Sequence, residues 1–196
     1  DANPPTGPLK FYVSFDGTAT DAKTGAIDSI QFTKPVTNTM GFAAGGINGT
    51  RGVTGNGTQY IKYGKPNNFC NWAESFTVSF WEKRNGMPVG EAEFPFSISS
   101  SNGHWASTSM MMLFDHAGAG ATDNLAVIKL VLVDRNMNDT WLAWEGGNKV
   151  PNIQDNAWHH LAFVYDANTS KVTLYVDGVA NRSEEHTSEL QSHHPI

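Results

Sequence analysis

The stretch from Trp158 to Gly178 reads WHHLAFVYDANTSKVTLYVDG. Trp158, His160, Ala162 and Val164 alternate in it with His159, Leu161, Phe163 and Tyr165, the period of two that a β-strand requires. A second alternation sets Val172, Leu174 and Val176 against Lys171, Thr173 and Tyr175. Between them, Asp166-Ala-Asn-Thr-Ser supplies side chains that bond back to their own backbone. Asp177-Gly178 then offers the two positive-φ residues of a tight hairpin turn. Both faces of this pair carry aromatic and β-branched side chains, which places it inside a two-sheet sandwich.

Working outward, further strands are predicted at about 76–83, 94–99, 109–115, 125–134 and 140–145, separated by turn residues, the spacing of an all-β sandwich. The run LAVIKLVLV (125–133) is assigned to a strand by its β-branching and the DRNMND turn after it. Nearer the start, residues 9–15 predict a strand with Leu9, Phe11, Val13 and Phe15 on one face, and Asp1–Pro8, with three prolines, reads as a linker. Residues 41–57 hold seven glycines. A phosphate-cradling loop would continue as Gly-Lys-Ser/Thr into a helix, whereas Tyr60-Ile-Lys-Tyr follows here, so turn chemistry is the reading.

The chain of 196 residues is one domain's worth and can bury roughly 70% of its unfolded surface. A net charge of −6 gives no electrostatic reason to expect nucleic acid or an anionic membrane as partner. No apolar run approaches a membrane span, and the lack of an initiator Met or signal peptide leads us to expect a start inside a longer product or after processing. The single cysteine, Cys70, rules out an internal disulfide and a multi-cysteine zinc site.

Four segments together resemble the laminin-G-like (concanavalin A-like lectin/glucanase) jelly rolls: LKFYVSFDGTATD (9–21), GTQYIKY (57–63), ESFTVSFWEKRNG (74–86), and the pair WHHLAFVYD and KVTLYVDG. The resemblance covers about residues 9–181. It implies an all-β fold, a two-sheet antiparallel jelly-roll sandwich, and a non-catalytic carbohydrate-binding or adhesion module of a secreted or cell-surface, bacterial protein. Glycan or polysaccharide is the expected partner, with an extracellular protein as a further one and no membrane insertion. Two alternatives stand beside it, a structural or protein-binding spacer of an adhesin and an accessory domain of a glycoside hydrolase. Residues 182–192, RSEEHTSELQS, resemble a translated sequencing-library adapter, so 182–196 is read as an artefactual tail. His186, His193 and His194 are set aside with it, and the domain is expected to lack its closing strand.

Retaining glucanases of this fold use two carboxylates about 5–5.5 Å apart, commonly as Glu-x-Asp-x-x-Glu on one strand. That spacing does not occur, Glu91 and Glu93 read as a solvated rim, and no enzyme activity is expected. Adjacent strand residues point to opposite faces, so His159 and His160 cannot form a metal pair. Asp134–Glu145 has the oxygen spacing of a calcium loop, but Asp139 stands where that motif needs Gly and strands flank it, so a hairpin turn is the stronger reading. A structural calcium, as the resemblance implies, would be sought at Asp16 and Asp21 or at Asp134 and Asp139. For a sugar, the loop-associated Trp105, Trp141 and Trp144 with Asn136, Asn138 and Asn148 are the candidates, since pyranose C–H groups pack on aromatic faces. Trp141 and Trp144 differ by three, so only one can line a given surface. Trp81 and Trp158 are expected in the core or against a sheet.

Overall fold

The computed structural model describes residues 11–15, 37–63, 75–101 and 103–185. They fall in two compact units, Asp1–Asn71 and Trp72–Ile196.

In the first unit, β1 (Thr37–Asn38) will pair with a later strand, and β2 (Gly41–Ala44) and β3 (Arg51–Thr54) form an antiparallel hairpin. The glycine-rich stretch supplies the connection. A Cβ on Gly46 would sit 2.4 Å from the Arg51 carbonyl oxygen, so the close return of the chain there requires glycine. β4 (Ile61–Lys62) is the partner of β1, and Tyr63 beyond it meets Phe11 edge to face at 5.2 Å. The predicted strand at 57–63 is thus confined to two residues, because Asn56 caps the turn before it by accepting the backbone N–H of Thr58. Of the strand predicted at 9–15, residues 11–15 are described: among them only Val13 lies in a bridge, and Phe15 has φ 56°, which ends extended pairing.

The second unit is the sandwich. It contains β5 (Phe76–Asn85), β6 (Glu93–Ser99), β7 (Thr108–Asp115), β8 (Leu125–Val133), β9 (Asp139–Trp144), β10 (Val150–Pro151), β11 (Asp155–Asp166), β12 (Lys171–Val176) and β13 (Val179–Glu185). One sheet has the order β13-β12-β11-β5. The other has β10-β8-β7-β6, with β9 also pairing β8, and every pairing is antiparallel.

Register makes the core. Leu161, Phe163 and Tyr165 stand opposite Phe80, Val78 and Phe76 on β5 and opposite Val176, Leu174 and Val172 on β12. Over these rungs one face of three strands is therefore apolar. From the facing sheet, Met110, Met112 and Phe114 of β7, Ile128, Leu130 and Leu132 of β8, and Leu142 and Trp144 of β9 complete one buried cluster. Each large side chain so buried contributes about 1.5–3 kcal/mol. The turns follow from local chemistry. Asp166 accepts the N–H of Asn168 and the hydroxyl of Thr169, and Asp177 and Gly178 have φ 50° and 80°, the positive pair of a two-residue hairpin.

Among the described residues there is no α-helix, and no helix long and apolar enough to cross a membrane. β13 runs past residue 181: Ser183, Glu184 and Glu185 pair with Thr173, Val172 and Lys171. The sequence from 182 onward has no hydrophobic period, yet a ladder is made by backbone groups and accepts any residue that leaves them free. Cys70, Trp72, Asp16 and Asp21 lie outside the described residues.

Candidate functional site: an aromatic platform on the outer face

Alternation along β8 and β9 sends Val131, Val133 and Trp141 to the outer face while Leu130, Leu132 and Trp144 point inward. The loop before β7 folds over this outer face. Its Ala106 packs on Met111, Val131 and Val133, and Trp105 beside it remains 69% exposed. Trp105 and Trp141 (45% exposed) lie with ring planes 2° apart and centroids 6.4 Å apart, a parallel, offset pair.

One carboxylate holds the pair. The Trp105 indole N–H donates to Asp139 Oδ2 at 2.9 Å. Buried His104 faces the same oxygen through Nε2 at 3.4 Å, and its Nδ1 accepts the N–H of Ala106. Because Nδ1 is an acceptor, the ring proton sits on Nε2 and donates to Asp139. The Trp105 hydrogen bond lowers the Asp139 pKa most; partial burial opposes it, and the indole of Trp141 and His104 add to the lowering. Asp139 is therefore ionised at neutral pH, accepts the Trp105 indole N–H and lies beside the Trp141 indole. Both rings keep a large share of their surface in solvent.

Farther along the same face, Lys129 is paired in register with Ala143, two rungs from Trp141. Its ammonium donates to Asp115 Oδ2 at 2.8 Å and lies 3.5 Å from Glu145 Oε2, and His116 contacts Asp115 Oδ1 at 2.7 Å. Burial would raise the Asp115 pKa, but the bonds from Lys129 and His116 outweigh it, and Asp115 in turn raises Lys129.

The other candidates separate. Trp144 is not a ligand residue: it is fully buried, meets Phe163 edge to face at 5.6 Å, and donates its indole N–H to the Asn181 carbonyl. Asn138 is turned back onto Asp134 through Nδ2 at 3.1 Å, and Asn136 lies in the same exposed turn. Asn148 sits in a single-turn 3-10 helix beyond the other end of β9 from Asp139. The structure brings together Trp105, Trp141 and Asp139 and leaves the asparagines outside that group.

Asp134 and Asp139 do not fit calcium. Asp134 Oδ1 accepts the N–H groups of Asn136 and Asn138, and Asp139 faces indole and imidazole donors. Calcium needs convergent oxygen ligands, and these carboxylates are aimed at N–H groups instead. The calcium-like spacing belongs to a five-residue hairpin loop in which Met137 takes φ 69°. Among the described residues, no three His, Cys, Asp or Glu side chains are placed to share a metal ion.

A second titratable cluster lies on the four-stranded sheet. His159 falls on the inner side, opposite Glu82, and His160 on the outer, where it packs at 5.1 Å on Trp81. Trp81 is 53% exposed: of the two positions expected of it, core or against a sheet, it takes the second, because the period of two puts it on the outer face with His160. His159 Nδ1 lies 2.8 Å from Asp177 Oδ2 and Nε2 lies 3.1 Å from Asp155 Oδ1, and both contacts can be hydrogen bonds only in the imidazolium. Burial would lower its pKa, but Asp177 and Asp155 outweigh this and raise it. Such a histidine contributes stability in full below its unfolded pKa of about 6.5 and loses it as pH rises through the raised folded value. His159→Gln is therefore expected to remove about 0.5–1 kcal/mol of pH-dependent stability, the range of an exposed ion pair. Unfolding curves of both proteins from about pH 6 to 9 test this. Parallel stability profiles would show that the imidazole is neutral in the fold.

The model of the concanavalin A-like lectin/glucanases superfamily (Laminin_G_3) matches residues 54–195. Among solved structures, domain 4 of AbnA, a GH43 extracellular arabinanase from Geobacillus stearothermophilus in complex with arabinotriose, is similar at 18% identity and TM-score 0.47, over 91% of this chain and 75% of that one. The receptor-binding domain of botulinum neurotoxin type G is similar at 15% identity and TM-score 0.40, over 59% of this chain but 27% of that one. No curated protein matches in sequence. The family match spans well over half the residues, and its sandwich is the one described above: the chain belongs to the concanavalin A-like lectin/glucanase superfamily.

Proposed function

We propose that the chain is a non-catalytic carbohydrate-binding module of a secreted or cell-surface protein, with Trp105 and Trp141 as its stacking platform. The observation that carries this reading is the pair of parallel, exposed indoles, one of them bonded to the carboxylate of Asp139. Large aromatic side chains left half in water are costly unless they meet a ligand, and a flat indole face suits the C–H surface of a sugar ring. Membership of a superfamily named for lectins as well as glucanases is consistent with it. The carboxylates of the outer face serve structural bonds: Asp115 holds Lys129 and His116, and Asp139 holds the indoles. Acid–base work on a glycosidic bond would require a carboxyl pair open to substrate.

Trp141→Ala is expected to weaken polysaccharide binding about ten-fold, or about 1.4 kcal/mol, while leaving the melting temperature within a few degrees. Affinity gel electrophoresis against a panel of soluble polysaccharides, beside a thermal melt, reads both. Undiminished binding by a well-folded Trp105→Ala, Trp141→Ala double variant would remove the platform from the function.

A further inference from the structure

We infer that the Trp105–Trp141 face accepts uncharged polysaccharide and turns acidic polysaccharide away, an inference that rests on the carbohydrate-binding reading of the same face. Its first support is the direction of the indoles. The Trp105 N–H is taken up by Asp139, whose ionised carboxylate also lies beside the Trp141 indole, so a uronate or sulfate at the platform would meet a carboxylate where it needs a donor.

The second support is the charge around the rings. Of the charged residues in the span 108–145, Asp123 is turned away to the Met87 N–H, which leaves four carboxylates (Asp115, Asp134, Asp139 and Glu145) and two cations, Lys129 and Arg135. Of these cations, Lys129 alone lies in a strand of the face, and its ammonium is already flanked by Asp115 at 2.8 Å and Glu145 at 3.5 Å. Arg135 is exposed on the β8–β9 turn, where solvent screens it. Diagonal neighbours on paired strands stand about 7–8 Å apart, so a sugar stacked on Trp141 lies within one Debye length of both the Lys129 cluster and Asp139. An anionic ring would meet net negative charge there, and an uncharged ring would lose nothing. The chain's overall charge of −6 opposes the approach of a polyanion in the same sense.

The test uses the whole chain with two probe classes, uncharged polymers (arabinan, a soluble β-glucan) and acidic ones (polygalacturonate, heparin), at roughly 20 and 500 mM NaCl. Expected is binding to at least one uncharged polymer that changes less than about two-fold between the salts. Acidic polymers should bind at least ten-fold more weakly at low salt, with the gap narrowing at high salt. Glu145→Gln, which leaves Lys129 less compensated, should narrow it at low salt as well. Tighter binding of an acidic than of every uncharged polymer, abolished by Trp141→Ala, would overturn the selectivity and leave the carbohydrate site standing. Binding of neither class, or binding indifferent to loss of both indoles, would instead overturn the carbohydrate reading and the selectivity with it.

Discussion

Trp144→Ala is expected to destabilise the sandwich by about 3–5 kcal/mol, the range for truncating a large buried aromatic. The indole is fully enclosed and is shared by both layers. It hangs from β9 in one sheet, meets Phe163 of β11 edge to face at 5.6 Å, and bonds the Asn181 carbonyl of β13 at 3.1 Å. Alanine would leave a cavity too apolar for water and strip a carbonyl of its donor, so transfer, cavity and hydrogen-bond losses act together. Trp144→Phe keeps most of the volume and loses only the N–H, and should cost about 1–2 kcal/mol. Urea unfolding at constant m-value measures both. A loss below about 1.5 kcal/mol for the alanine variant would mean that the two sheets do not close over this residue.

Glu82→Gln should act in the opposite direction and stabilise the fold at neutral pH. Glu82 faces inward at the end of the β5–β11 ladder, where both carboxylate oxygens are buried and without a hydrogen-bond partner among the described residues. Burial pushes its pKa up to about 8, and the nearby charges of Arg84 and His159 only partly offset the rise. An acid whose folded pKa lies above its unfolded one binds a proton more tightly when folded. Its contribution is therefore intact below about pH 4.5 and is lost progressively as pH climbs toward 8. At 1.36 kcal/mol per pH unit, the neutral glutamine should gain about 2–3 kcal/mol at pH 7 and close to nothing at pH 4. Denaturant midpoints for both proteins at those two pH values decide it. A variant no more stable than the parent at pH 7 would show that Glu82 is solvated or paired. In the Glu82→Gln background, the slope that remains above about pH 6.5 belongs to His159.

β5, β11 and β12 of the second unit were legible because a period of two survives in them, and β8 because of its β-branching. β11 and β12 alternate as read, the Asp166 and Asp177-Gly178 turns form as their side chains dictate, and the three-residue offset of Trp141 and Trp144 separates them to opposite faces. Legibility failed where backbone, and not pattern, decides. Phe15 at positive φ cuts short a strand that its alternation promised, and β13 extends to Glu185 without any alternation. The tryptophans were ranked by their neighbours in sequence, which cannot tell an outer strand face from an inner one. Trp81 was accordingly left between the core and a sheet surface, and Trp144 was offered to a ligand.

By itself the sequence determined the all-β class, the antiparallel hairpins and the family, because alternation, turn residues and the segments at 57–63, 74–86 and 158–178 are local properties of the chain. Only the tertiary structure decided the site. Trp105 and Asp139 are 34 residues apart, and it is the folding of the 103–107 segment over β8 and β9 that brings an indole N–H to that carboxylate. The same holds for Glu82, an ordinary strand glutamate in the sequence. Its raised proton affinity comes from burial in the folded chain, which removes the water that would otherwise solvate its charge.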